Sequence, residues 1–209
     1  MKISFTKALI FITAIILTFN ANAQSDYVIT VKGDSIPCKI SIPLIGSNKY
    51  KSDAMSGPEK IKPDVIKEYY IARKNFRQRA VFRDNSTKPT YMTVIERGKI
   101  SLYEMVYSNY YNGMTTTTVT WYVSKGSDNV SDLKTSALFS FKSRQTRKDD
   151  FAEMLKDNKV VYDLYISEDK FSFKQIRNLV HLYNTGQPFA ENIIKEPDNS
   201  KNEFNPNQK

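Results

Sequence analysis

The sequence predicts an α+β protein: a curved, mostly antiparallel sheet of seven or eight short strands, followed by two or three C-terminal helices. Three observations predict it. From Tyr27 to Lys134, apolar residues alternate in short runs broken by Gly, Pro, Asn and Asp, the period-two pattern of half-buried strands. Beyond Phe141 the apolar spacing changes to three and four residues, the period of a helix face. Strands and helices are segregated along the chain, which argues against a parallel β-α-β build.

Tyr27, Ile29 and Val31 alternate with Val28, Thr30 and Lys32, and Gly33-Asp34 offers a tight turn. The return strand places Ile36, Cys38, Ile40 and Ile42 on one face and Ser35, Pro37, Lys39 and Ser41 on the other. Pro37 lacks a donor, which assigns that strand to a sheet edge or a bulge. Ile45 to Pro58 reads as a loop holding at most one short strand, and Pro63 to Ile66 as a single helical turn. Strand signals return at Glu68–Arg73, Phe76–Arg83, Tyr91–Glu96, Ile100–Tyr107, Thr116–Lys125 and Val130–Lys134, with Asn109–Met114 as a tyrosine-rich loop.

Thr146 to Asp149 resembles a capping box, with Phe151, Met154 and Leu155 on the helical face behind it. Val160, Val161, Leu164 and Tyr165 continue at helical spacing. Ser172 with Gln175 is a second box, ahead of Ile176, Leu179, Val180 and Tyr183, and Gly186 and Pro188 stop that helix. The sequence thus divides into a β region over 24–140, a helical region over 141–188 packed on the sheet, and a polar tail over 189–209 whose composition predicts disorder.

The first 23 residues read as an export signal. Lys2 and Lys7 precede an apolar run over residues 8–19, and Ala21 and Ala23 fit the small-residue rule for cleavage before Gln24. The run is shorter than the ~20 apolar residues a spanning helix needs, and no later stretch is apolar enough to cross a membrane. The 31 Lys and Arg face 22 Asp and Glu, for a net charge of +9. Loss of Lys2 and Lys7 leaves 29 against 22, a net of +7. A basic exported chain suits acidic company such as lipid head groups or anionic polysaccharide. One cysteine cannot form an internal disulfide, so the fold must stand on its core, to which 13 Tyr, 12 Phe and one Trp contribute.

The Ala-Asn-Ala-Gln ending of the signal, the Tyr-Val-Ile-Thr-Val-Lys-Gly-Asp-Ser-Ile hairpin, GKISLYEMVYS at 98–108 and LVHLYNTG at 179–186 are together similar to a group of exported proteins of Bacteroidota-type bacteria. The resemblance implies a periplasmic or envelope setting in a Gram-negative cell. It brings no activity, cofactor or site residue with it.

Few residues could carry chemistry. Cys38 shares its strand face with isoleucines, an apolar setting that disfavours the thiolate. His181, the only histidine, falls beside Lys174 and Asn178 on the helical wheel, which reads as a solvated position. One His and one Cys in the chain argue against a His/Cys zinc site, and no cofactor motif occurs: GxxxxGK[ST], GxGxxG and GxSxG are all absent. Asp149, Asp150 and Glu153 fall in the first turns of a helix, where negative charge is favourable structurally, and Glu168 and Asp169 lie in a short link.

The one constellation above background is FRQRAVFR at 76–83. Alternation gathers Arg77, Arg79 and Arg83 on one strand face, and arginine forks suit phosphate, sulfate or carboxylate. The plain alternative is a solvated outer face with local acidic partners. Aromatics lie on the opposite face from the charge, unlike in nucleic-acid readers. The sequence therefore predicts a non-catalytic envelope protein that binds a protein partner or an anionic lipid or polysaccharide surface, with Arg77, Arg79 and Arg83 as candidate contacts. The competing reading is a hydrolase with an Asp/Glu pair in a groove between sheet and helices.

Overall fold

The fold was obtained as a computed structural model, in which the described residues are 25–189 apart from 85, 138, 139, 141 and 169. The export signal over 1–23, its cleavage before Gln24 and the tail beyond Phe189 lie outside the described residues. The chain is mixed α+β, with antiparallel strands up to Thr135 and three helices after it. It divides into two compact units, residues 1–76 and 77–209.

The first unit holds β1 (Tyr27–Thr30), β2 (Ser35–Pro37), β3 (Lys39–Ser41), β4 (Lys49–Lys51), β5 (Glu59–Lys60) and β6 (Ile66–Ile71). β1 lies between β2 and β6 and is antiparallel to both. Gly33, at φ 98°, makes the turn the sequence predicts between β1 and β2, a conformation that costs a residue with a Cβ. The expected return strand is divided in two: β2, an edge strand, ends at Pro37, and after Cys38 the chain enters a separate antiparallel sheet of β3, β4 and β5. Asp26 fixes this departure. Its carbonyl accepts from the Cys38 N–H at 3.0 Å, and its carboxylate accepts from Ile40 N–H at 3.1 Å and Ala72 N–H at 2.8 Å. β4 is the one short strand that the sequence allows within residues 45–58, and β5 follows directly after that stretch.

The second unit holds β7 (Phe76–Arg83, which starts at the boundary), β8 (Thr90–Glu96), β9 (Ile100–Tyr111), β10 (Met114–Lys125) and β11 (Asn129–Thr135). Each pairs antiparallel with the next. In a meander of five strands the first and last run the same way, and β11 does pair parallel with β7, at Asn129↔Phe82 and Val130↔Arg83. This pairing closes the strands on themselves. Val81, Met92, Tyr103, Tyr122 and Val130 pack together inside.

Asn109–Met114 is not the loop that its composition suggests. β9 and β10 stay in register out to Tyr111↔Met114, and Asn112 and Gly113, both at positive φ, form the two-residue turn. Asn-Gly favours this left-handed geometry. Tyr107, Tyr110, Tyr111 and Met114 are exposed on the ribbon.

Helices α1 (Arg144–Leu155), α2 (Lys159–Glu168) and α3 (Phe173–Thr185) cover the opposite sheet face. Ile100, Leu102, Trp121 and Val123 meet Phe151, Leu155, Tyr165, Phe173, Ile176 and Leu179 in one buried core. β7–β11 and the helices therefore share a unit. Ser143, three residues before the expected box, caps α1 by accepting from Thr146 N–H at 3.0 Å. Ser172 caps α3 as expected, accepting from Gln175 N–H at 3.1 Å, and Gly186 ends it at φ 72°. The last turn of α3 is tied to β9 by Asn184, which accepts from Ile100 N–H at 3.1 Å and donates to Ile100 carbonyl at 2.7 Å.

Candidate anionic-surface site

The three arginines do share a strand face, but it is not an outer solvated one. In register, Arg79 stands opposite Met92, which is buried, and Val81 on the same face is 0% exposed. This is the face that strand closure turns inward. Arg79 is 23% exposed and donates through Nε and Nη2 to Asp128 Oδ1, at 3.2 and 2.8 Å. Arg77 is half-buried and Arg83 exposed. Arg83 also hydrogen-bonds the Tyr122 hydroxyl, which partly offsets the rise that burial imposes on that phenol. Alternation was legible in the sequence. The inward turn was not, because it depends on the distant pairing of β11 with β7.

Cys38 is half-buried between β2 and β3 rather than deep in a core. Burial, followed by the Asp26 carboxylate, raises its thiol from 9.0 to about 11, against a hydrogen bond from the Val28 backbone. The thiol is held protonated, the state that does not attack. His181 departs from the solvated position expected of it. Its Nδ1 lies 3.4 Å from Glu96 Oε2, Arg177 Nε donates to Glu96 Oε1 at 3.0 Å, and the His181 ring and the Arg177 guanidinium both contact the Phe189 ring. These groups join α3 to the end of β8.

Of the carboxylates singled out in the sequence, Asp169 lies outside the described residues, and the others have local partners. Asp150 pairs with Lys142, Asp149 accepts from Gln145, and Glu153 pairs with Lys156. Glu168 accepts from Gln175 Nε2 at the edge of a cavity of about 550 Å³. The aromatic and aliphatic core fills much of the space between sheet and helices, but a second cavity of about 490 Å³ opens between Lys125 and Ser131 of the sheet and Asp150, Glu153 and Met154 of α1. Beside it Lys142 pairs with both Asp84 and Asp150, at 3.2 Å each. Among the described residues, no three or more His, Cys, Asp or Glu side chains are placed to hold a metal ion, and no helix is long and apolar enough to cross a membrane.

A different cationic surface lies in the first unit. In the sheet of β3, β4 and β5, Lys39 is opposite Lys51, Ser41 opposite Lys49, and Lys49 opposite Lys60. Opposed residues share a face, so Lys39, Lys49, Lys51 and Lys60 stand together, and all four are exposed. The other face carries Ile40 and Tyr50, both buried, with Glu59 beneath the Tyr50 hydroxyl. The only carboxylate of this small sheet therefore points away from the lysines. None of the four lysines forms an ion pair with a carboxylate among the described residues.

The turn from β3 to β4 adds an apolar tip. Leu44 and Ile45 are 106% and 92% exposed, and Ile42 is exposed beside them. Asn48 anchors the far foot of the turn, donating to the Tyr69 hydroxyl at 2.9 Å and accepting at its carbonyl from Ile61 N–H at 2.8 Å. Sequence reasoning passed over these lysines. The available signal was Lys-Tyr-Lys at 49–51, one aromatic between two cations in strand alternation.

Comparison with family models, with curated proteins and with solved structures finds no match to this chain.

Proposed function

We propose that this chain is an exported envelope protein that binds an anionic surface through Lys39, Lys49, Lys51 and Lys60, without catalysing a reaction. The observation that carries the reading is the opposition of like charges on one exposed sheet face. Directly opposed side chains sit ~5 Å apart, and like charges there are destabilising by some tenths of a kcal/mol to about 1 kcal/mol. A dense array of phosphate, sulfate or carboxylate groups offsets that repulsion, and the ammonium groups gain contacts the free protein lacks. The export signal read in residues 1–23 and the net charge of +7 left after its removal agree with an anionic partner outside the cytoplasm.

The test is binding of the chain from Gln24 onward to phosphatidylglycerol-containing vesicles and to dextran sulfate, across a salt series. Binding should weaken as salt rises, because exposed charges are screened. The variant with Lys39, Lys49, Lys51 and Lys60 all changed to Ser should lose it while keeping its fold, since these side chains are solvent-exposed. Intact mass of exported material should begin at Gln24.

A further inference from the structure

The apolar tip beside the lysines specifies which anionic surface fits. We infer that it is a lipid bilayer, into which the β3–β4 turn inserts Leu44 and Ile45 below the phosphate level. This rests on the reading of the lysine face as an anion-binding surface, and it narrows the ligand from any polyanion to a phospholipid membrane.

Single exposed apolar residues are ordinary on a protein surface. Leu44 and Ile45 are adjacent, both almost wholly exposed, and reinforced by exposed Ile42. Pro43 restricts the chain on one side of the pair. Gly46, at φ 100°, supplies on the other side a left-handed turn that a Cβ would strain. The pair is therefore presented at the head of a shaped turn, and Asn48 pins the turn's far foot to Tyr69 and Ile61. Behind the tip, Lys49 stands at a foot of the turn with Lys60 opposite it, and Lys39 and Lys51 form the next opposed pair back on the same face.

An apolar tip in front and cations behind match the order of a bilayer leaflet, where hydrocarbon lies beneath a layer of phosphates. The charges gain from anionic head groups and the tip gains from leaving water. A polysaccharide is polar throughout and offers Leu44 and Ile45 no such medium. Long lysine stems also keep their ammonium groups at phosphate height while the backbone approaches the surface.

The experiment uses the exported chain from Gln24 onward with three probes: phosphatidylcholine vesicles, vesicles that also contain phosphatidylglycerol, and dextran sulfate. Leu44→Ser with Ile45→Ser should weaken binding to the phosphatidylglycerol vesicles about tenfold or more, as expected from the loss of two buried aliphatic side chains. Dextran sulfate binding should be unchanged, because the lysines are intact. Leu44→Trp should give an indole whose emission shifts to the blue on anionic vesicles and is quenched by brominated acyl chains. Equal vesicle binding by the Ser variant, or an indole that stays in water on bound vesicles, overturns the insertion. Equal losses on vesicles and dextran sulfate overturn it too, since the turn would then act through the lysine face and not through lipid. The lysine-to-Ser variant separates the two levels: if it binds dextran sulfate and vesicles like the parent, the underlying reading has failed, whatever the tip does.

Discussion

Gly98 and Asn184 form a couple whose removal has a calculable signature. Asn184 bridges the Ile100 N–H and carbonyl, at 3.1 and 2.7 Å, and so fastens the end of α3 to the start of β9. A Cβ on Gly98 would fall well inside contact distance of the Asn184 side-chain amide. Asn184→Ala deletes two hydrogen bonds worth ~0.5–1.5 kcal/mol each, so it should cost about 2 kcal/mol. Gly98→Ala should expel the Asn184 amide, losing the same two bonds and adding strain, for a cost of about 2–3 kcal/mol. With Asn184 already truncated, the added methyl meets no amide, and the double variant should cost only about 2 kcal/mol. The coupling is therefore ~2 kcal/mol, where independent sites would add to within ~0.5 kcal/mol. Urea unfolding followed by Trp121 is the assay, because this only tryptophan packs edge-on against Phe173 of α3 at 4.9 Å. Additive costs, or a Gly98→Ala protein as stable as the parent, would refute the reasoning.

Cys38 should react slowly with thiol reagents near neutral pH and quickly after unfolding; equal rates in both states would contradict its burial. Its folded pKa, raised from 9.0 to about 11, makes its contribution to stability complete below pH 9.0 and lost as pH climbs towards 11. Denaturant midpoints of parent and Cys38→Ala should therefore converge over that window. Arg79→Ser should destabilise the second unit by about 1 kcal/mol, since it removes the charged hydrogen bonds from the half-buried Arg79 to Asp128. Arg83→Ser should change stability by no more than ~0.5 kcal/mol, as expected at an exposed position, and the two midpoints compared by urea unfolding check both values.

Much of the fold was legible because local pattern dictated it. Alternation at 76–83 and 90–96, the Gly33 turn, the Ser172 cap and the Gly186 stop depend on neighbours in sequence. What local pattern could not carry were the distant pairings. The β11–β7 pairing turns Arg79 and Val81 inward, so that a strand face bearing three arginines became half-buried. Asp26, reaching Ile40 and Ala72, sends the chain after Cys38 into a second sheet. That sheet places Lys60 beside Lys49 and Lys39 beside Lys51. No run of basic residues marks the face in the sequence, because its members are spread over 22 positions and assembled only by register.

Flotation with phosphatidylglycerol-containing vesicles, comparing the Lys39, Lys49, Lys51 and Lys60 quadruple Ser variant with an Arg83→Ser control, tests the central claim most directly. The account predicts that the parent and the control float with the vesicles at low salt while the lysine variant, still folded, stays at the bottom. A lysine variant that floats like the parent, or a parent that never floats, would contradict it.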